Sequence, residues 1–199
     1  RAAISTATGL DASHYHVLQQ SNCGISQLVF PPHSRTAQME TLNHTEHLGE
    51  TLPKLKEAKQ GVRLLLVPAT EISDARAIAL ARRWHTIDLD FCLSESGAAA
   101  CVAHRLLSDR PATTRYFYDS ADRPEWQLTL DRQLDLAERS GELLTGAIVA
   151  SEAYIRAHVD RHLGRTSRSR WHPQPGTFSV IHYPHANRLP SIQALNIPC

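Results

Sequence analysis

The sequence has no surplus of either charge: 21 Lys and Arg stand against 20 Asp and Glu in 199 residues, a net +1. A chain without a net field has no global grip on nucleic acid or an anionic membrane, so any polyanion site must be local. Long apolar runs are also missing. The longest, such as Leu143 to Ala150, fall far short of the roughly 20 residues needed to cross a bilayer, and the N-terminus has no signal-peptide core. These absences imply a cytoplasmic chain with no membrane and no nucleic-acid partner. Cysteine is sparse: Cys23, Cys92, Cys101 and Cys199 are widely spread with no C-x-x-C pair, which excludes a disulfide scaffold and leaves free thiols.

What is present is ordinary for a globular protein. The 42% hydrophobic and 21% charged content can bury a core, and the length suits one large domain or one domain and part of another. Histidine is abundant, with 12 residues, so metal ligation has to be weighed. His158 and His162 lie four apart on a predicted helix, His14 and His16 flank Tyr15, and His44 and His47 are three apart. No third ligand completes any pair and H-E-x-x-H is absent, so a structural or surface role is preferred and neither metal nor cofactor is expected.

An internal repeat organises the chain. Ser26-Gln27-Leu28-Val29-Phe30-Pro31 is echoed by Ser179-Val180-Ile181-His182-Tyr183-Pro184, and Thr41-Leu42-Asn43 by Ala194-Leu195-Asn196, at one constant offset. Each copy follows a helix-like stretch, one opening at Arg1 and one at Arg156, that closes near Gly9 or Gly164, the usual C-terminal glycine signal. Residues 1–48 therefore read as the tail of one domain, 49–61 as a linker and 62–199 as a second domain ending in the same tail. Two predicted strands, about 24–30 and 37–42, cannot bury a core alone. Residues 1–48 must fold onto the second domain or be covered by something else.

Beyond the linker the pattern alternates in the α/β manner. Val62 to Val67 is a strand buried on both faces. Ser73 caps a helix to about Trp84, with Ile72, Ala75, Ile78 and Ala79 as its apolar stripe. A strand over Ile87 to Leu93 and a helix over Gly97 to Leu107 follow. Trp126 to Ser140 is a helix with Trp126, Leu130, Leu134 and Ala137 on one stripe, closed by Gly141. Leu143 to Ala150 is a buried strand, Glu152 to Leu163 a helix and Thr177 to Tyr183 a strand. The sum is a three-layer α/β/α sandwich with a mostly parallel sheet.

Residues 19–26 (Gln19 to Ser26), 39–50 (Met39 to Glu50), Leu52-Pro53-Lys54-Leu55-Lys56 and Arg63-Leu64-Leu65-Leu66-Val67 resemble the junction between the two halves of two-domain histidine phosphatases of the phosphoglycerate mutase-like superfamily, cyanobacterial type. The likeness from 70 to 199 is weaker but colinear. It implies a phosphoglycerate mutase-like fold preceded by the tail of a second copy. Chemistry in that family needs a nucleophilic imidazole at the end of the first strand, two arginines and a second histidine around the phosphoryl oxygens, and an acid for the leaving group.

Carried over position by position, the family's motifs are absent. Pro68-Ala69-Thr70 stands where Arg-His-Gly belongs, Ser94-Glu95-Ser96-Gly97-Ala98-Ala99-Ala100 replaces the arginine-bearing turn, and Ser151-Glu152 follows Ile148-Val149-Ala150 where the second histidine belongs. Acids in place of cations repel a phosphomonoester, by roughly 1–4 kcal/mol per pair of like charges about 4 Å apart. No catalytic residue is therefore assigned, and no substrate-binding residue is identified. Other candidates read blandly: His33 as a solvated loop residue aligned with Ala186, Arg161, Arg165, Arg168 and Arg170 with His162 as a helix end or partner surface, Glu152 as an acid at a helix start, and Trp84, Trp126 and Trp171 as core or interface anchors.

The expectation is an inactive histidine-phosphatase-like module with a structural, regulatory or partner-binding role, bound to a protein partner or to itself through residues 1–48. The alternative is the C-terminal part of an active phosphatase or mutase on small phosphorylated acids or sugars, its active site completed by a segment outside this chain.

Overall fold

The computed structural model describes residues 1–56, 59–70, 72–119, 123–164, 171–184 and 189–198. Eight strands form one sheet in the order β1-β2-β8-β7-β3-β6-β4-β5. They are β1 (Ile25–Val29), β2 (Gln38–His44), β3 (Gly61–Pro68), β4 (Phe91–Glu95), β5 (Thr114–Tyr118), β6 (Leu143–Ala150), β7 (Thr177–Tyr183) and β8 (Ser191–Pro198). The helices are α1 (Ala2–Thr8), α2 (Asp74–Arg83), α3 (Ala98–Leu106), α4 (Arg123–Ser140) and α5 (Glu152–Leu163). The half β3-β6-β4-β5 is parallel and the half β1-β2-β8-β7 is antiparallel, joined where β7 runs antiparallel to β3.

The period of β3 builds the three layers, because alternate side chains of a strand leave on opposite faces. Val62, Leu64 and Leu66 join Trp126 and Leu130 of α4 and Ile155 and Val159 of α5 in one core. Leu65 and Val67 join Leu80 of α2, Val102 of α3, Trp84, Phe178 and Val180 in the other. Burying each such side chain contributes about 1.5–3 kcal/mol, and all eight residues of β3 are buried. Gly146 of β6 is obligatory here, since a Cβ on it would strike the Phe91 ring of the neighbouring strand.

The strands that carry the echoed residues lie side by side in the sheet. β2 and β8 run antiparallel with Leu42 opposite Leu195, two residues the repeat equates. Isolated bridges join Leu18 to Ile192 and Met39 to Trp171, again an exchange between equivalent positions. Asn43 and Asn196 both hold left-handed backbone, at φ 55° and 50°. Each donates its backbone N–H to a serine hydroxyl, Asn43 to Ser26 Oγ at 3.0 Å and Asn196 to Ser179 Oγ at 3.1 Å. The hairpin β1-β2 thus extends the sheet past β8, related to β7-β8 by a local two-fold axis between β2 and β8.

Several expectations need correction. The buried face of α2 is Ala77 and Leu80, running on to Trp84, whereas Ile78 is 44% exposed; the predicted stripe was rotated because Trp84, just past the helix, sets the inward direction. The strand expected from Ile87 begins only at Phe91, because Asp90 is spent on β6: its Oδ2 accepts from the Thr145 N–H at 2.7 Å. Thr114–Tyr118, which the pattern did not mark, is edge strand β5. The other helices, the caps at Ser73 and Gly9, and the three buried tryptophans stand as expected.

Candidate functional site

In a parallel α/β sheet ligands sit beyond the carboxyl ends of the strands, where connections diverge to opposite faces. Here β3 leads to α2 on one face and β6 to α5 on the other. The strand ends present Ala69 and Thr70, Ser94 to Gly97, and Ala150 to Glu152. None of these residues is a histidine, arginine or lysine.

Glu95 occupies this crevice from within. One carboxylate oxygen accepts the Ser151 backbone N–H at 2.7 Å and the other accepts the Ser151 hydroxyl at 3.2 Å. Ser151 is the residue before α5, so a carboxylate from β4 caps that helix from a neighbouring strand. The partial positive charge of a helix start favours an anion there, and the protein supplies its own. Thr70 Oγ1 accepts the Glu152 N–H at 3.4 Å, and Ser96 is tied twice to the Tyr118 carbonyl, by its N–H at 2.9 Å and its hydroxyl at 3.2 Å. Arg76, in the first turn of α2, donates to the Pro175 carbonyl at 3.4 Å.

The other candidates are spread through the molecule. His158 and His162 do converge, both placing Nε2 on the Tyr183 hydroxyl, at 3.0 and 2.8 Å. One hydroxyl has one proton and two lone pairs, so at most one imidazole accepts from it and at least one donates to it. Burial, with the nearby charge of Arg161, lowers His158 to about 3 and His162 to about 4, and burial raises Tyr183. His44 pairs with Glu46 at 3.2 Å and His47 meets the Cys23 carbonyl at 2.9 Å. His33 is exposed in a loop at φ 62°. Arg161 donates to Gln127 Oε1 at 3.2 Å; Arg165, Arg168 and Arg170, like Ala186 and Cys199, lie outside the described residues. Cys92 is buried, which pushes its thiol up to about 12, while Cys23 and Cys101 are exposed and free. Among the described residues no three His, Cys, Asp or Glu side chains are placed to share a metal ion, and no helix is long and apolar enough to cross a membrane.

A cleft of about 730 Å³ opens at the opposite, amino ends of β4 and β5, lined by Arg82, His85, Asp88, Arg105, Asp109 and Arg110 among others. Two of its arginines are engaged. Arg105 pairs with Asp74 at 2.8 Å and Arg110 donates to the carbonyls of Ile87 and Trp84. One network escaped the sequence reading altogether. Arg63 donates to Gln193 Oε1 at 2.9 Å and to the Pro53 carbonyl at 3.0 Å, Gln193 donates to Gln19 Oε1 at 3.0 Å, and Gln19 donates to the Lys54 carbonyl at 2.9 Å. It fastens the 49–61 segment to β3, β8 and the N-terminal tail.

No family model and no curated protein matches the chain. Among solved structures it is similar to the alpha-ribazole phosphatase from Shigella flexneri, at 17% identity over 67% of this chain and 96% of that one, with a TM-score of 0.47. It is also similar to a mycobacterial glucosyl-3-phosphoglycerate phosphatase, at 11% identity over 70% of this chain and all (100%) of that one, with a TM-score of 0.48. Likeness at this level concerns the arrangement of elements and says nothing of what this chain binds or does.

Proposed function

We propose that this chain is a histidine-phosphatase-like module without catalytic activity, serving a structural, regulatory or partner-binding role. The observation that carries the reading is Glu95 on Ser151. Phosphoryl transfer depends on positioned positive charge around the transferring oxygens, and the crevice instead holds a carboxylate on its helix start, with no histidine at any of the three strand ends. An incoming phosphate dianion would have to displace that carboxylate from its two hydrogen bonds and then lie beside it. Pro68-Ala69-Thr70 supplies neither nucleophile nor cation at the end of β3. The sequence resemblance to the junction of two-domain histidine phosphatases supports the family side of this reading.

The test is an aryl-phosphate assay on the purified full chain with acid-sensitive trapping of phosphohistidine. Neither turnover nor label is expected from protein shown to be folded by its near-ultraviolet dichroism. Either signal, lost on replacing a single histidine, overturns the reading.

A further inference from the structure

β1 ends the sheet on one side, yet its place in the local two-fold is that of an interior strand. β1 stands to β2 as β7 stands to β8, since the repeat carries Ser26 onto Ser179 and Asn43 onto Asn196 and the hydrogen bonds of the two pairs coincide. On its far side β7 holds β3, with Tyr183 opposite Val62, Ile181 opposite Leu64 and Ser179 opposite Leu66. The same offset sets Phe30, Leu28 and Ser26 at the corresponding positions of the first copy. Among the described residues nothing pairs with that edge of β1.

Side-chain exposure follows the same logic. Phe178 and Val180 are fully buried (0%), and Phe178 packs edge-on against Trp84 at 5.5 Å between ring centroids. Their counterparts in the first copy are Ile25 and Gln27; Ile25 is 54% exposed, and Val29 and Phe30 beside them are 40% and 55% exposed. Natural edge strands carry a lysine, a proline or an inward charge that discourages pairing. The five residues Ile-Ser-Gln-Leu-Val of β1 carry none of these.

We propose that the open edge of β1 receives an apolar strand, running antiparallel, from a second α/β unit built like residues 61–198, so that the local two-fold becomes the axis between two complete units. The occupant has the chemistry of Gly61–Pro68: leucine opposite Leu28, no acidic residue in the paired stretch, and a following helix that covers Ile25 and Val29. A second copy of this chain cannot supply that strand, because its own β3 is held between β6 and β7. This inference rests on the partner-binding part of the reading above and is independent of the filled crevice. Turnover of an aryl phosphate would overturn the crevice argument and leave the β1 edge as it stands.

The experiment places the sequence of Gly61–Pro68 ahead of Arg1 of the full chain, through a flexible glycine-serine linker of about 20 residues that holds it at millimolar effective concentration. Hydrogen–deuterium exchange is read residue by residue. The amides of residues 25–30 are expected to exchange at least about tenfold more slowly than in the untethered chain, with the rest of the sheet unchanged. The double substitution Val29→Asp and Phe30→Asp, at exposed positions, is expected to abolish that protection at an unchanged melting temperature. Unchanged exchange at 25–30 in the tethered chain overturns the proposal. So does sedimentation showing that the untethered chain is already a stable dimer with these amides protected, which would make a second copy the occupant.

Discussion

Asn43 and Asn196 each hydrogen-bond into the other's strand. The Asn43 side-chain amide donates to the Gln193 carbonyl at 2.7 Å, and that of Asn196 donates to the Glu40 carbonyl at 3.0 Å. Glu40 and Gln193 are themselves equivalent in the repeat, so the exchange is reciprocal. Each asparagine also accepts a backbone N–H at Oδ1, from Ser21 at 2.7 Å and Gln174 at 3.2 Å. The seam between β2 and β8 is therefore polar at its buried centre, with Leu42 and Leu195 side by side within it.

That clasp makes a graded prediction. Asn43→Ala removes buried hydrogen bonds at about 1 kcal/mol each and places a Cβ-bearing residue without a local bond at positive φ, so it should lower the unfolding free energy by about 2–4 kcal/mol. Asn43→Gly should cost about 1 kcal/mol less, because glycine accepts φ 55° freely. Denaturant midpoints for both, and for the same pair at Asn196, check the ranking. Equal costs for Ala and Gly would remove the left-handed backbone from the account.

At Arg63 the ordering should invert intuition. Burial lowers this guanidinium to about 10, so it stays charged at neutral pH, and among the described residues it donates to a side-chain amide and a carbonyl. Gln193→Ala strands that charge and should cost about 2–4 kcal/mol, whereas Arg63→Met removes the charge together with its need and should cost less. Limited trypsin digestion at Lys54 and Lys56 should quicken in Gln193→Ala, since the segment loses its anchor; an unchanged cleavage rate would show that the network does not hold it.

Acid should weaken the protein before its carboxylates titrate. His158 and His162 have folded pKa values of about 3 and about 4, below the ordinary imidazole value of 6.5. The unfolded chain therefore binds more protons below that value, and stability falls as pH drops from about 6.5 toward about 4, by up to roughly 1.4 kcal/mol per pH unit per histidine. Above about 6.5 both rings are neutral in either state and the contribution is level. A chain with His158→Gln and His162→Gln should show a flatter urea-midpoint profile between pH 6 and 4. Tyr183→Phe should destabilise at every pH, since it removes the hydroxyl that both rings share.

Glu95 should matter to the fold and not to turnover. Glu95→Ala removes a charge-assisted bond to the Ser151 N–H and should cost about 1–3 kcal/mol, with Glu95→Gln nearer the lower end. Inorganic phosphate should leave the melting temperature of the unaltered chain where sulfate-free buffer puts it. A phosphate-dependent rise would mean that an anion can displace the carboxylate.

Much of this was legible from residues alone because it is local. Val62 to Val67 announced a strand buried on both faces, Ser73 and Gly9 marked helix ends, and the Ser26/Ser179 and Asn43/Asn196 echoes marked residues that make like hydrogen bonds. What escaped depends on partners far along the chain. Tyr116 to Tyr118 form a strand because β4 lies beside them. Ile78 faces outward because Trp84 turns α2. Two acids, Glu95 and Glu152, stood near one crevice in the sequence, and only the register of β4 against β6 assigns the capping role to Glu95.

The position of β8 between β7 and β2 also dictates an order of assembly. Residues 25–44 precede the strand they pair with by a long stretch, Asn43 and Gln193 standing 150 positions apart. Their hairpin has to wait beside an unfinished sheet until residues 191–198 join it, and the seam then closes across that separation. Closing so long a loop costs little more than closing a moderate one, but contacts this distant in sequence slow folding. In refolding, the amides of β2 are therefore expected to be the last in the sheet to become protected.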